Sequence, residues 1–366
     1  MAKRGLNIYK RKDGRYEGRY KNGYTPDGKA KYTSVYGKSY SAVKETLERK
    51  RADLYNNPYV SCKLTMGELA LTWLTNIKNK VKISTLSNYE MKLQKHILPY
   101  FAGMRYDKLT ADNLNAFITA KIKENLSERY VADIVVLVKS VARFAQKRYG
   151  VVNRFECVSP PKSRGKTDKR LFSAAEQSRL KAFLLKNPDC SNVGILLSMA
   201  TGIRIGELCA LRWQDIDLEK SILTVRQTVQ RIMKNGGGTK LIITAPKSTS
   251  SVREIPLPDF IMPVLKKFQA DKDAYLLSGN SKIIEPRTMQ YRFKSLLKRA
   301  GLPYINFHSL RHSFATSCVA LGVDVKTLSE ILGHSSVELT LNRYVHSSME
   351  RKQSCMKLFS DSFFAA

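Results

Sequence analysis

The chain has 366 residues, which is too long for one ordinary hydrophobic core and suggests two or three domains of about 100 to 200 residues each. Its 63 lysines and arginines outnumber 31 aspartates and glutamates, which leaves a net charge of +32. Every stretch is basic, with +9 over residues 1–60, +8 over 61–160 and +15 over 161–366. The predicted partner is therefore a polyanion that contacts the whole chain. The 43% of hydrophobic residues excludes a disordered basic tail.

Neither a membrane protein nor a secreted one is expected. An apolar run of about 18 residues is missing, and the first residues read MAKRGLNIYKRK. The six cysteines are scattered and form no C-x-x-C pair, which is typical of reduced thiols rather than disulfides or a zinc ribbon. We expect a cytoplasmic protein.

Residues 1–57 are predicted to form a small domain of three short strands, at 7–12, 15–21 and 31–36, followed by a helix at about 41–54. Tyrosines alternate with basic side chains on these strands. A ribbon of this size fits the major groove of DNA, so the candidate DNA contacts are Arg11, Arg15, Arg19 and Lys31. The alternative is a sheet with one packed tyrosine face and one solvated face.

Residues 64–158 are predicted to be an all-helical domain. Thr65 and Glu68 form a capping-box signature, and Ser84 and Thr110 are predicted to begin two further helices. The apolar spacing over 134–145 predicts a fourth helix. The lysines of this domain, of which Lys92 and Lys95 are the candidate DNA contacts, either face phosphates or are ordinary solvated positions.

A linker is predicted over 159–170, because a Pro pair, a glycine and several basic residues follow one another there. Lys162 and Arg164 are candidate DNA contacts in it. Residues 171–366 then form a third domain, mainly helical with a small antiparallel sheet, that begins with a helix near Ser173. Strands are predicted at 222–232, 241–245 and 252–257.

The third domain carries the chemically informative residues. Arg204 lies among apolar neighbours, where a charge must be paired, and Glu207 is its predicted supporting partner. Lys247 lies near a hairpin tip, where a solvated turn lysine is the commoner reading. His308 and Arg311 are three residues apart and share one helical face. His334 and Tyr344 follow.

These residue types fit the cleavage of a phosphodiester bond. Arg204 and Arg311 can clamp the nonbridging oxygens. Tyr344 must lose its proton as it attacks, and His308 is the candidate base. The leaving oxygen needs a proton, which assigns Lys247 as the general acid. A phosphotyrosine ester conserves the bond energy, so no metal, ATP or other cofactor is expected.

A zinc pair at His308 and His312 is the alternative reading of the histidines. It is disfavoured because Arg311 would lie beside the cation, and because no carboxylate ligand or H-E-x-x-H pattern accompanies the pair.

The series of Arg204, Lys247, His308-x-x-Arg311, Leu-Gly-His334 and Tyr344 resembles the tyrosine recombinases, the phage integrase family. All catalytic positions of that family find a matching residue type here in order, although Lys240 is a rival for Lys247. The resemblance implies that His334 hydrogen-bonds the scissile phosphate. It also implies a metal-independent integrase of a phage or conjugative transposon, which cleaves and rejoins DNA through a 3′-phosphotyrosine intermediate and a Holliday junction.

The same resemblance implies an arm-type DNA-binding domain over 1–57, a helical core-binding (SAM-like) domain over 64–158 and the catalytic domain over 171–366. The implied partners are double-stranded DNA with core-type and arm-type sites, three further copies of the chain in a homotetramer on DNA, an excisionase and a host DNA-bending protein. The implied location is the nucleoid of a bacterial cytoplasm. Two alternatives stay open: a type IB topoisomerase, and a catalytically inactive DNA-binding regulator.

Overall fold

A computed structural model of the chain describes residues 7–24, 30–56, 64–162, 170–234, 237–245 and 252–344, together with 353, 356–357 and 360–361. The chain divides into two compact units, Met1–Lys166 and Thr167–Ala366. Their boundary falls within the segment predicted as a linker, 159–170. None of the described helices is long and apolar enough to cross a bilayer.

The first unit begins with a three-stranded antiparallel sheet and a helix. The strands are β1 (Ile8–Lys10), β2 (Tyr16–Tyr24) and β3 (Ala30–Gly37), in the order β1-β2-β3. Helix α1 (Tyr40–Asn56) packs on one face of the sheet through the buried Val43 and Leu47. The predicted three strands and helix are confirmed, because the period-two pattern of the strands supplies one apolar face for a helix to cover.

The rest of the first unit is helical and has its own apolar core. Its helices are α2 (Met66–Ile77), α3 (Ile83–Lys92), α4 (Leu98–Phe101), α5 (Ala111–Lys123) and α6 (Glu128–Tyr149). A π-helical turn at Leu93–Ile97 connects α3 to α4.

Three side chains of this unit are predicted to cap the start of a helix, and two of them do so. Thr65 caps α2 in a capping box with Glu68, and Thr110 caps α5 with Asn113. The prediction that Ser84 begins a helix is wrong. Lys82 has extended backbone angles and precedes Ile83, so Ser84 already lies inside the first turn of α3.

The second unit combines eight helices with two small antiparallel sheets among its described residues. The helices are α7 (Ala174–Lys186), α8 (Cys190–Thr201), α9 (Ile205–Ala210), α10 (Met262–Phe268), α11 (Pro286–Arg299), α12 (His308–Ala320), α13 (Val325–Leu332) and α14 (Val337–Tyr344). Ser173 caps α7 in a capping box, as the predicted helix start requires.

The strands of the second unit correct the prediction of one small sheet. Strands β4 (Ile216–Asp217), β5 (Ile222–Val225) and β8 (Arg253–Pro256) form one sheet in the order β4-β5-β8. Strands β6 (Thr228–Met233) and β7 (Thr239–Thr244) form a separate hairpin. The predicted strand over 222–232 is therefore two strands, because the chain leaves the first sheet after Val225 and pairs with a different partner.

Candidate functional site

Arg204 and Glu207 form an ion pair at the start of α9. Helix α8 ends at Gly202, whose φ of 65° allows the chain to turn, and Arg204 is the extended residue that precedes α9. The Glu207 carboxylate accepts hydrogen bonds from the backbone N–H of Arg204 at 3.1 Å and from its Nη1 at 2.8 Å. The predicted pairing is present, and it fixes the direction of a guanidinium that remains about one-third exposed.

Arg311 lies one turn into α12 and is 2% exposed. Its Nη1 donates to the carbonyl of Gly202 at 2.9 Å, and its Nη2 donates to the carbonyl of Leu332 at 2.7 Å. Both acceptors lie at helix ends, where the last carbonyls have no partner within the helix. The two predicted clamp arginines therefore meet at the ends of α8 and α13.

Sequence reasoning missed a third arginine of the site, Arg253, which lies on β8. Its Nη2 donates to Glu207 at 2.9 Å, and its Nε donates to the carbonyl of Ile331 at 2.6 Å. The burial of β8 alternates, and Arg253 shares the buried face with Ile255. An arginine in phase with the apolar positions of a predicted strand was the signal that could have identified it.

The three arginines bind three successive carbonyls at the end of α13. Ile331 accepts from Arg253, Leu332 from Arg311, and Gly333 from Arg204, whose Nη2 lies 2.9 Å from the oxygen. The C-terminal end of a helix carries partial negative charge, which stabilises adjacent cations. The arginine cluster thus fixes the chain directly before His334.

Gly333 is needed at this point for two reasons. Its φ is 63°, a left-handed conformation that costs other residues about 1 to 2 kcal/mol. A Cβ at this position would also lie 3.0 Å from Cδ of Arg253. The Leu-Gly-His sequence therefore combines a helix end with a close approach to the arginine cluster.

The site carries excess positive charge, since three guanidinium groups are arranged round one carboxylate. Burial opposes ionisation of Glu207, but the charges of Arg253 and Arg204 and their hydrogen bonds outweigh it, so the pKa of this carboxyl lies below its ordinary value. Burial, and then the charge of Arg204, lower the pKa of Arg311 to about 9. An anion bound beside these arginines would raise the pKa of Arg311 again, because it favours the charged guanidinium. The site is therefore complementary to a phosphate.

Tyr344, the last residue of α14, is 7% exposed and packs between two histidine rings. Its ring centroid lies 5.5 Å from that of His312 and 6.3 Å from that of His334, and the His334 ring is parallel to it within 2°. His308, at the start of α12, is exposed and packs edge-on against His312 at 4.8 Å. The structure brings His308, Arg311, His334 and Tyr344 together.

His312 and Thr340 are further members of the site that sequence reasoning did not assign to it. His312 is buried between His308 and Tyr344. Thr340, buried on α14, lies with Oγ1 2.7 Å from Nδ1 of His334. Since Thr340 precedes Tyr344 by four residues, the i,i+4 spacing already placed both on one helical face.

Lys247 lies outside the described residues. Its rival Lys240 is exposed on β7, in the hairpin with β6. Within the described part of the chain, no group of three or more His, Cys, Asp or Glu side chains is arranged to hold a metal ion.

The outer face of the small N-terminal sheet presents basic and aromatic side chains round a buried carboxylate, Glu17. Arg11 donates to Glu17 at 2.8 Å and Arg19 at 3.1 Å. Each guanidinium also stacks on an exposed tyrosine, Arg11 on Tyr36 and Arg19 on Tyr9. Glu17 therefore holds two of the candidate arginines in fixed directions.

Glu17 remains ionised because hydrogen bonds from Ser34 and Tyr9, followed by those from Arg19 and Arg11, lower its pKa to about 2. Arg15, the third candidate arginine, is exposed and bonded to Asp13 at 2.8 Å.

The remaining candidate DNA contacts differ in exposure. Lys92 is 7% exposed and its Nζ lies 3.5 Å from Asp133, so this side chain packs inside the helical bundle rather than on its surface. Lys95 and Lys162 are exposed. The side chain of Lys31 and the whole of Arg164 lie outside the described residues.

The sequence matches two family models. Residues 166–351 match the phage integrase family, and residues 65–122 match the phage integrase N-terminal SAM-like domain. The chain is 26% identical to a tyrosine recombinase XerC-like protein of Caldanaerobacter subterraneus subsp. tengcongensis, with 93% of this chain and 94% of that protein covered. It is also 26% identical to a putative prophage phiRv2 integrase of Mycobacterium tuberculosis, over 80% of this chain and 77% of the relative.

Two solved structures share the fold. The Tn1549 transposon integrase in complex with a circular intermediate DNA superposes with a TM-score of 0.67 at 20% identity, covering 81% of this chain and 99% of that one. A lambda integrase dimer bound to a COC′ core site gives a TM-score of 0.59 at 18% identity, over 94% and 97%.

The family match and the fold together define an enzyme that breaks and rejoins DNA strands. The chain belongs to the phage integrase family of tyrosine recombinases. It is a site-specific recombinase that cleaves and rejoins DNA.

Proposed function

We propose that the chain is an integrase of a phage or conjugative transposon, and that Tyr344 attacks the scissile phosphate to form a 3′-phosphotyrosine intermediate. The observation that carries this proposal is the convergence of Arg204, Arg311, His334 and Tyr344 at the ends of α8 and α13. The bonds of Arg204 to described residues use two of its five N–H groups, and the side chain is one-third exposed. The clamp is thus prepared for an oxyanion.

The roles follow from this geometry. Arg204 and Arg311 neutralise charge that develops on the nonbridging oxygens, and His334 hydrogen-bonds one of them. His308 takes the proton of Tyr344; since His312 lies between their rings, the transfer passes through His312 or follows a rearrangement on DNA binding. Lys247 protonates the leaving 5′ oxygen. The ester is then opened by the 5′ hydroxyl of a second strand, which restores Tyr344.

The small sheet domain is proposed to bind arm-type DNA through the surface round Glu17. The helical domain is proposed to bind core-type DNA through Lys95, together with Lys162 of the segment predicted as a linker. Preformed arginine directions support base recognition, because less side-chain entropy is lost on binding. Lys92 is left out of this surface because it is buried. A homotetramer on DNA, an excisionase and a host DNA-bending protein complete the proposed assembly.

Recombination between two DNA sites tests the proposal against its alternatives. An integrase incubated with two matched sites, in EDTA and without ATP, yields recombinant products and Holliday junctions that carry both parental strands. Relaxation of a supercoiled plasmid without either product would identify a type IB topoisomerase. Binding without any strand cleavage would identify an inactive regulator.

A further inference from the structure

The hydroxyl of Thr340 connects His334, the proposed phosphate ligand, to the helix that carries the proposed nucleophile. Oγ1 of Thr340 lies 2.7 Å from Nδ1 of His334, and Thr340 is 0% exposed. His334 follows the end of α13, whereas Thr340 lies in the first turn of α14, one turn before Tyr344. The bond therefore spans the junction between the two helices.

The hydroxyl of Thr340 is used differently from those of three threonines in other helices. Thr46, Thr72 and Thr119 each donate to the carbonyl four residues earlier, at 2.7 to 3.1 Å. Thr340 is bonded to the imidazole instead. This places a group that can both donate and accept against one ring nitrogen of His334.

The contact that His334 is proposed to make with the phosphate selects the direction of this bond. In a neutral imidazole one ring nitrogen donates and the other accepts, so the partner of Nδ1 decides the role of Nε2. If Thr340 donates to Nδ1, the proton resides on Nε2 and can be donated to a phosphate oxygen. The opposite direction would turn the lone pair of Nε2 towards the anion, which is repulsive.

We propose that Thr340 is a positioning residue that holds His334 in its Nε2–H tautomer and couples this orientation to the docking of α14. The choice of tautomer rests on the proposed phosphate contact of His334, but the tautomer itself can be measured in the free protein without any DNA cleavage. Because Thr340 and Tyr344 share one helical face, displacement of α14 removes the nucleophile and releases the histidine together. The site is then assembled as a unit.

The test compares Thr340→Val, which keeps the shape and removes the hydroxyl, with Thr340→Ser, which keeps the hydroxyl. Nitrogen NMR of the histidine rings in the free protein reads the tautomer directly, and His334→Gln assigns the signal. We expect a protonated Nε2 in the wild type and in Thr340→Ser, and a mixture of tautomers in Thr340→Val. A protonated Nδ1 in the wild type would overturn the proposal.

Single-turnover cleavage of a nicked suicide DNA substrate is the second readout. Thr340→Val should slow cleavage about tenfold, the loss expected for one hydrogen bond, whereas Thr340→Ser stays within about threefold of the wild type. Thr72→Val, which removes a threonine hydroxyl bond in the other unit, is the control and keeps the wild-type rate. Equal loss in Thr340→Val and Thr340→Ser would contradict a role for the hydroxyl.

These readouts separate the two proposals. If Thr340→Val does not fold, Thr340→Ser and the wild-type spectrum still decide the tautomer. If the wild-type protein cleaves no DNA, the proposed function fails while the NMR result stands on its own.

Discussion

Replacing Glu207 by Gln removes the carboxylate that pairs with both Arg204 and Arg253. The side chain is nearly fully buried and accepts bonds from Arg204 and Arg253. A glutamine keeps one acceptor oxygen but turns an NH₂ group towards an arginine N–H, so one acceptor contact becomes a contact between two donors. The guanidinium of Arg253, which is also buried, then loses the carboxylate that it bonds at 2.9 Å.

The expected loss of stability follows from the exposure of each pair. Breaking a buried ion pair by removing one partner costs about 3 to 5 kcal/mol. This cost applies to the pair with Arg253, because both partners are buried. The pair with the part-exposed Arg204 is screened by solvent and adds little to the loss of stability. We therefore expect a loss of about 3 kcal/mol, which corresponds to a fall in Tm of about 6 to 12 °C for a unit of this size.

The lowered pKa of Glu207 determines how its contribution to stability changes with pH. The pKa of Glu207 in the folded protein lies below that of the unfolded chain, so its contribution is complete above the ordinary glutamate pKa of about 4.3 and is lost as the pH falls through the lowered value. The difference in Tm between wild type and Glu207→Gln should thus be full at pH 7 and shrink as the pH is lowered below about 4.

Differential scanning calorimetry across this pH range measures the effect. Glu254→Gln is the matched control, because Glu254 lies on the same strand as Arg253 but is exposed, and its Tm should stay within about 2 °C of the wild type. An unchanged Tm in Glu207→Gln at pH 7, or a difference that grows towards acid pH, would refute the electrostatic reasoning.

Three further predictions concern other parts of the molecule. Gly333→Ala should lower the Tm more than Gly322→Ala, since both glycines have positive φ but a Cβ meets Arg253 only at position 333. Equal losses of Tm would show that the contact between this Cβ and Arg253 costs nothing. Arg19→Ala should weaken arm-type DNA binding by about 1 to 3 kcal/mol and relax its sequence preference, as expected for a base contact. Equal weakening on all DNA sequences would place this residue on phosphates instead. Lys247→Ala should cleave an ordinary substrate slowly but a substrate with a 5′-bridging sulfur at near the wild-type rate, because a thiolate leaves without a proton. If the sulfur substrate instead restores the rate of Lys240→Ala, the general acid is Lys240.

Local sequence patterns predicted most of the helices and the N-terminal sheet. Capping boxes at Thr65 and Ser173 depend only on residues three apart, so the chain specifies these helix starts by itself. The strand over 222–232 was predicted as continuous because both halves are rich in β-branched residues. Its division into β5 and β6 depends on pairing with β8 and β7, which are distant in sequence.

The site was predictable as a set of residue types but not as a network. Arg204, Arg311, His334 and Tyr344 could be selected because their order matches that of the family. Their fixation by helix-end carbonyls, and the insertion of Arg253 between Glu207 and Ile331, arise from tertiary contacts over 21 to 129 residues of sequence separation. Such contacts leave no local periodicity, apart from the position of Arg253 on the buried face of its strand.

Among the eighteen tyrosines of the chain, Tyr344 is the one proposed to become joined to DNA. A suicide substrate that loses its 5′ strand on cleavage should trap a covalent adduct, and mass spectrometry of the protease-digested complex should locate a 3′ nucleotide on the peptide that contains Tyr344. Tyr344→Phe should bind the same DNA and form no adduct. An adduct on another tyrosine, or one that persists in Tyr344→Phe, would contradict the account.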